Sequence, residues 1–334
     1  MERKNIPILW CPLITPFRAA ADPDPDRIAA LMRHIAGSVR GILVPGSTGE
    51  GWNMDDREIA SLLRIVLAHA GEIGQHVLVG ALKPDAPSTI RSITSTMRLL
   101  RDLTGCDSDD CALAASPVAG FTVCGPTGDD LTQEAIRSSL EEVLELGVPI
   151  AIYQLPQVTR NEIAPATIAD LARRYDRFFL FKDTSGDDRV ARSGLDFGRV
   201  FLVRGAEGDY SRWQKAAGGP YDGFLLSTAN TFSAELGRIL DLVGRDRQDD
   251  AEELSRRITR VVETLFPAAG AIPGGNAFAN ANKAIDHFRA YGPGASLQEG
   301  PLLHDGTRLP PDLLVETRRV LEENGFSIGA GYLV

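Results

Sequence analysis

The chain has 334 residues, 43% of them hydrophobic and 24% charged, the make-up of an ordinary globular protein with room for one large barrel or two smaller domains. Its net charge of -10 speaks against a nucleic-acid partner, because binding there needs clustered Lys and Arg to displace counterions. No stretch reaches the ~18 apolar residues of a membrane span, and the polar start Met1–Asn5, followed by a run broken at Pro7, Pro12 and Pro16, is neither a signal nor a transit peptide, so a cytoplasmic location is expected.

In chain order, apolar runs alternate with segments of helical period. Leu9 to Leu13 reads as a first strand, closed by Thr15-Pro16-Phe17, and the Pro/Asp loop from Asp22 to Asp26 can cap a helix near Arg27–Ala36. Gly41 to Val44 is a second strand, ending in Pro45-Gly46-Ser47-Thr48-Gly49-Glu50. Asp55 to Ala70 places Ile59, Leu62, Leu63, Val66 and Leu67 on one helical face. His76 to Leu82 is a third strand, and Ser88 to Leu103 a helix. A fourth strand is expected at Cys111–Ala115, opening into Ser116-Pro117-Val118-Ala119-Gly120-Phe121, with a helix over Asp130–Leu146. Pro149 to Tyr153 is a fifth strand, stopped by Pro156, and Pro165 to Tyr175 a helix with proline in its first turn. The sixth strand, Phe178-Phe179-Leu180-Phe181, runs into Lys182. A short helix is expected at Asp187–Ser193. A seventh strand lies at Val200–Val203, a helix at Ser211–Ala217, and an eighth strand at Tyr221–Leu226.

Eight such units over residues 1–230 predict a (β/α)8 TIM barrel, and the purely helical pattern of 231–334 predicts a C-terminal helical extension packed on it or on a neighbouring subunit. The helices of that region are expected at Ser233–Val243, Arg247–Phe266, Asn276–Tyr291 and Pro311–Asn324. The four cysteines are too few for a disulfide framework and read as buried or incidental thiols. With no histidine near Cys106 or Cys111, zinc is not expected.

Chemistry collects where the strands of such a barrel end. A lysine at the C-terminal end of a buried strand loses hydration, which lowers its pKa and makes it a nucleophile toward ketones; the plainer reading is a strand-end lysine that reaches solvent. The same mouth would hold Ser47 and Thr48 after strand two, Tyr153 on strand five, Glu207 after strand seven and Ser227 after strand eight. Gly46 to Gly49 can turn backbone N–H groups and two hydroxyls toward a carboxylate, and Tyr153 can relay a proton. Taken singly, these read as an ordinary turn, a core aromatic and a solvated loop acid. Together they suit imine chemistry on a 2-keto acid.

The motifs Leu13-Ile14-Thr15-Pro16-Phe17, Gly46-Ser47-Thr48-Gly49-Glu50, Tyr153-Gln154-Leu155-Pro156, the lysine strand, Gly223 to Asn230 and Asn282-Lys283-Ala284 carry a resemblance over nearly the whole chain. It resembles the dihydrodipicolinate synthase/N-acetylneuraminate lyase family of class I, Schiff-base-forming enzymes. The resemblance implies Lys182 as the imine lysine, Tyr153 as proton relay, and Ser47, Thr48 and Gly49 as the keto-acid carboxylate site. Glu207 and Ser227 would meet the rest of the substrate. It implies no metal and no organic cofactor, and a homo-oligomer, a tetramer or a dimer.

Departures bear on substrate. The synthases carry a second tyrosine after strand four and an arginine two residues after the Tyr-x-x-Pro proline. Here Ser116–Phe121 holds no tyrosine, the arginine position is Val158, and Arg160 stands two further on, which weighs against lysine-pathway dihydrodipicolinate synthesis. Ser227-Thr228-Ala229-Asn230 is similar to the lyase branch, and Phe181-Lys182-Asp183 to the sugar-acid dehydratases. The reading favoured is a pyruvate-dependent retro-aldolase of a hydroxylated 2-keto acid. The alternatives are a dehydratase of a 2-keto-3-deoxy sugar acid using the same imine, and a non-catalytic barrel that binds a keto acid. A metal-dependent aldolase is not expected, since His34, His69, His76, His287 and His304 show no ligand spacing. No role follows for Thr104–Asp110 or Gly292–Arg308.

Overall fold

The structure, a computed structural model, describes residues 5–334. The polar stretch Met1–Lys4, part of the start read above for targeting, lies outside the described residues.

The chain opens with β1 (Leu9–Pro12), a small antiparallel ribbon of β2 (Phe17–Ala19) and β3 (Asp22–Pro23), and α1 (Pro25–Ile35). Asp24 caps α1, its side chain accepting from the amides of Asp26 and Arg27. Next come β4 (Gly41–Val44), α2 (Asp56–Ile73), β5 (His76–Gly80) and α3 (Ala86–Thr104). A capping box of Asp55 and Glu58 starts α2, and Gly74 ends it at a φ of 76°. The middle of the chain supplies α4 (Asp109–Ala114), β6 (Val118–Cys124), α5 (Gln133–Leu144), β7 (Ile150–Gln154), α6 (Pro156–Thr159), α7 (Pro165–Arg174), β8 (Phe178–Asp183), β9 (Phe201–Arg204) and β10 (Gly223–Leu225). The remaining helices are α8 (Ser233–Gly244), α9 (Gln248–Gly270), α10 (Ala277–Tyr291) and α11 (Pro311–Glu323).

Eight strands close into a parallel barrel in the order β1-β10-β9-β8-β7-β6-β5-β4. The (β/α)8 fold with C-terminal helices is therefore as the sequence predicts. Side chains on the strands alternate inward and outward. Trp10, Leu43, Leu78, Ala151, Leu180, Val203 and Leu225 pack together inside the barrel, while Ile42, Phe121, Ile152, Phe181, Leu202 and Phe224 join the core beneath the helices. Because Leu180 points inward, so does Lys182 two residues on. After residue 230, α8 packs on α9, α9 on α10, and α10 on the 3-10 turn Ser227–Asn230 that follows β10.

Three expected elements differ. Cys111–Ala115 is no strand; α4 occupies it, capped by the Ser108 side chain and carrying Asp109 and Asp110 in its first turn, where carboxylates favour the positive helix end. The strand in that place is β6, fully buried, which moves the strand-four mouth from Ser116–Phe121 to Cys124-Gly125-Pro126-Thr127; no tyrosine stands there either. Asp187–Ser193 forms turns rather than a helix, with Asp188 held at a φ of 55°. Ser211–Ala217 reduces to a 3-10 turn at Lys215–Ala217.

The cysteine reading also changes. Cys106 and Cys111 are joined in a disulfide across the turn between α3 and α4, and only Cys11 and Cys124 are buried thiols. Among the described residues, no helix is long and apolar enough to cross a membrane.

Candidate active site

The register of three strands sets the centre of the site. Cys124 of β6 lies beside Tyr153 of β7, and Tyr153 beside Lys182 of β8. Residues paired in this way share a face, so all three project into the same layer above the apolar barrel floor. The Lys182 Nζ stands 3.9 Å from the centre of the Tyr153 ring, and both side chains are 3% exposed.

Burial dominates the electrostatics here. It pulls the Lys182 amine down to about 7 against the opposing pull of Cys124, Glu207 and Cys11, so a large share of the amine is neutral near pH 7. Burial raises the Tyr153 phenol, which the Thr184 and Ser47 side chains offset by hydrogen bonding, so it stays protonated and can donate. The Cys124 thiol is pushed up to about 12. Room for the lysine comes from Gly205, where a Cβ would sit 2.6 Å from the Lys182 Cε and 2.5 Å from the Thr184 Cγ2.

The loop after β4 is the stretch expected to meet a carboxylate. The amides of Gly49, Glu50 and Gly51 are spent within it, on the carbonyls of Gly46, Ser47 and Gly46. Among the described residues, the amides of Ser47 and Thr48 donate to nothing, which leaves two N–H groups and the hydroxyls beside them for a carboxylate. Gly49 serves the turn instead: its carbonyl accepts from the Thr15 hydroxyl, and a Cβ there would lie 2.6 Å from the Leu13 carbonyl oxygen.

Glu207 and Ser227 do meet at this mouth, but on each other. One Glu207 oxygen accepts from the Ser227 hydroxyl at 2.6 Å and the Thr228 amide at 3.1 Å. The other accepts from the Thr228 hydroxyl at 2.7 Å and the Tyr210 hydroxyl at 2.9 Å. Arg160 points away, toward Asp129 at 3.1 Å.

Several supporting contacts escaped sequence reasoning. Glu50 holds a φ of 62° and is buried against Lys283 of α10, whose Nζ also donates to the Leu302 carbonyl at 2.8 Å. The His304 amide donates to the second Glu50 oxygen at 2.9 Å. Asn276, which caps α10, also donates to the Ser47 carbonyl at 2.9 Å, and Trp52 Nε1 donates to the Ser47 hydroxyl at 3.0 Å. The stretch 292–308 thus gains a part: it braces the anion loop through Leu302 and His304. A cavity of about 630 Å³ lined by Phe288, Leu309, Leu314 and Val315 lies in the helical region and includes none of the imine-site residues.

Lys182 can add to a ketone, Tyr153 can pass a proton, and the Ser47–Thr48 amides can hold a carboxylate one bond from the carbonyl under attack. No family model matches the chain. Curated relatives include the 4-hydroxy-tetrahydrodipicolinate synthase of Prosthecochloris aestuarii, 26% identical over 264 residues that cover 78% of this chain and 82% of that one. The synthase of Chlorobium luteolum is 27% identical over 266 residues with the same coverage. Over about four-fifths of its length the chain is similar to the 4-hydroxy-tetrahydrodipicolinate synthases. The fold agrees along its length: a prophage protein of the dihydrodipicolinic acid synthase family from E. coli K12, solved in complex with pyruvate, superposes with a TM-score of 0.76 at 17% identity, covering 96% of this chain and 99% of that one. A 2-keto 3-deoxygluconate aldolase from Picrophilus torridus matches at 0.64 and 20% identity, over 83% of this chain and 92% of that one.

Proposed function

We propose that the protein is a pyruvate-dependent retro-aldolase of a hydroxylated 2-keto acid, working through an imine on Lys182. The observation that carries this reading is the buried Lys182 amine, lowered to about 7 and set against Tyr153 in the barrel mouth. Ser47 and Thr48 hold the substrate carboxylate through their unspent amides, which places the adjacent ketone at the amine. Tyr153 carries protons between the amine, the carbinolamine and the substrate hydroxyl. The imine then draws in the electron pair of the bond that breaks.

Two other readings have specific support. The curated relatives are named as synthases, which favours condensation of pyruvate in the lysine pathway. The mouth after β6, Cys124 to Thr127, lacks the tyrosine that the resemblance would require for it, and Val158 stands at the arginine position. Dehydration of a 2-keto-3-deoxy sugar acid would use the same imine, but the carboxylate closest to serving as its extra base, Glu207, is saturated by four donors.

The test is reduction with borohydride in the presence of pyruvate, followed by intact mass and peptide mapping. An adduct on Lys182 that is missing from Lys182→Ala is the expected result. No adduct with pyruvate or any longer keto acid would sink the imine reading.

A further inference from the structure

One wall of the mouth is made of hydrocarbon and sulfur. Leu82, Cys124 and Leu155, each at most 6% exposed, pack with Tyr153 into a cluster separate from the barrel floor, and the half-buried Trp52 and Val158 pack against it. These residues come from the ends of β5, β6 and β7, from α6 and from the loop after β4. They therefore share the barrel face on which Lys182 opens.

The polar atoms that could have interrupted this wall are occupied or neutral. Trp52 Nε1 donates to Ser47, and the Cys124 thiol stays protonated. Across the mouth, the Glu207 carboxylate is taken up by Ser227, Thr228 and Tyr210, so the hydroxyls that would meet a sugar chain are turned onto a protein acid. A substrate tail rich in hydroxyls would lose water here without gaining partners, whereas a hydrocarbon tail would gain from burial.

We propose that the far half of the substrate is apolar: the site takes a 4-hydroxy-2-keto acid whose carbon-4 substituent is an alkyl or aryl group. This rests on the imine reading of Lys182 given above. The amine condenses with the C2 ketone and releases water. The C3–C4 bond then breaks, its electron pair passing into the imine as an enamine, and the 4-hydroxyl oxygen becomes the carbonyl of an apolar aldehyde. The hydroxyl proton travels by way of Tyr153 to C3, and water hydrolyses the resulting imine to pyruvate and free amine. The sum is one keto acid in, pyruvate and one aldehyde out, with no oxidant or reductant.

The experiment runs the reaction in the condensation direction on the full chain. Pyruvate is supplied with butanal, benzaldehyde or glyceraldehyde, and kcat/KM for each aldehyde is read from product formation. Butanal or benzaldehyde is expected to exceed glyceraldehyde by about tenfold or more, the scale of a pocket that binds by apolar contact. Val158→Asn is expected to narrow that ratio several-fold. Glyceraldehyde as the equal or better partner overturns the proposal, and so does pyruvate trapping with none of the aldehydes converted. Borohydride trapping needs no aldehyde, so a failure of the imine reading itself shows first as a missing pyruvate adduct. That result removes both proposals, whereas an intact adduct with the wrong aldehyde preference removes only this one.

Discussion

A lysine amine attacks a ketone only after losing its proton, and burial has moved that point for Lys182 to about 7. Below it the amine is protonated in both free enzyme and early complex, so the rate of imine formation is expected to rise about tenfold per pH unit up to pH 7 and to level off above pH 8. Initial rates of borohydride trapping across pH 5 to 9 measure this directly, and a rise centred near the ordinary lysine value of about 10.4 would refute it. The second control on the amine is steric. Gly205→Ala brings a methyl group within 2.6 Å of the Lys182 Cε and 2.5 Å of the Thr184 Cγ2, side-chain ends that can shift, and leaves the nearest backbone atom, the Asp183 carbonyl oxygen, at 3.3 Å. The fold should therefore survive while the amine is displaced. A misplacement on the scale of 1 Å costs up to about 10²-fold in rate, so a large fall in kcat with an unmoved melting temperature is the expected pattern. Lys182 and Tyr153 were legible in the sequence because a strand fixes facing by counting. Gly205 was not, since its role depends on how closely β9 passes the lysine.

Among the elements, α10 does the most to shape the site without touching its chemistry. Its cap Asn276 holds the Ser47 carbonyl, and its buried Lys283 holds Glu50, so the anion loop is fastened at both ends by a helix more than two hundred residues further along the chain. Burial lowers the Lys283 pKa even though Glu50 pulls the other way, which marks the pair as one whose desolvation weighs heavily and whose value lies in fixing the loop. Asn276→Ser separates the two duties of that residue. Serine caps a helix about as well as asparagine but is too short to reach Ser47. The expected result is an unchanged melting temperature with a raised KM for the keto acid and kcat nearly kept, as for lost uniform binding; a KM left as it was would remove Asn276 from the site. The sequence showed Glu50 and Lys283 as separate motif residues, and nothing in their spacing says that they meet. Element identity failed where propensity and pattern disagreed. Cys111–Ala115 is short and apolar enough for a strand, yet the Ser108 cap and two acids at its start make it a helix, while the glycine in β6 hid a fully buried strand.

At the scale of the whole molecule, a division at residue 230 would separate a barrel from a helical region, and the bonds that cross it argue that the two halves stand or fall together. Asn230 itself closes the barrel, donating to the Pro12 and Ser227 carbonyls and accepting from the Ile14 amide. From the other side, Asp286 of α10 pairs with Arg27 of α1, Asn282 accepts from Thr231, and Lys283 neutralises Glu50. Removing the helical region would strip Glu50 of its partners Lys283 and His304 and break a buried ion pair that spans the two halves. The barrel and its extension are therefore expected to unfold in one transition, unlike two independent domains. The sequence supplies its own probe, because all three tryptophans, Trp10, Trp52 and Trp213, precede residue 230 and the helical region has none. Tryptophan fluorescence follows the barrel, whereas far-ultraviolet circular dichroism also weighs α8 to α11. Urea titrations read by the two signals should share one midpoint, and helical signal lost at lower urea than the tryptophan signal would show the extension to be a separate unit whose grip on the anion loop is dispensable to the barrel.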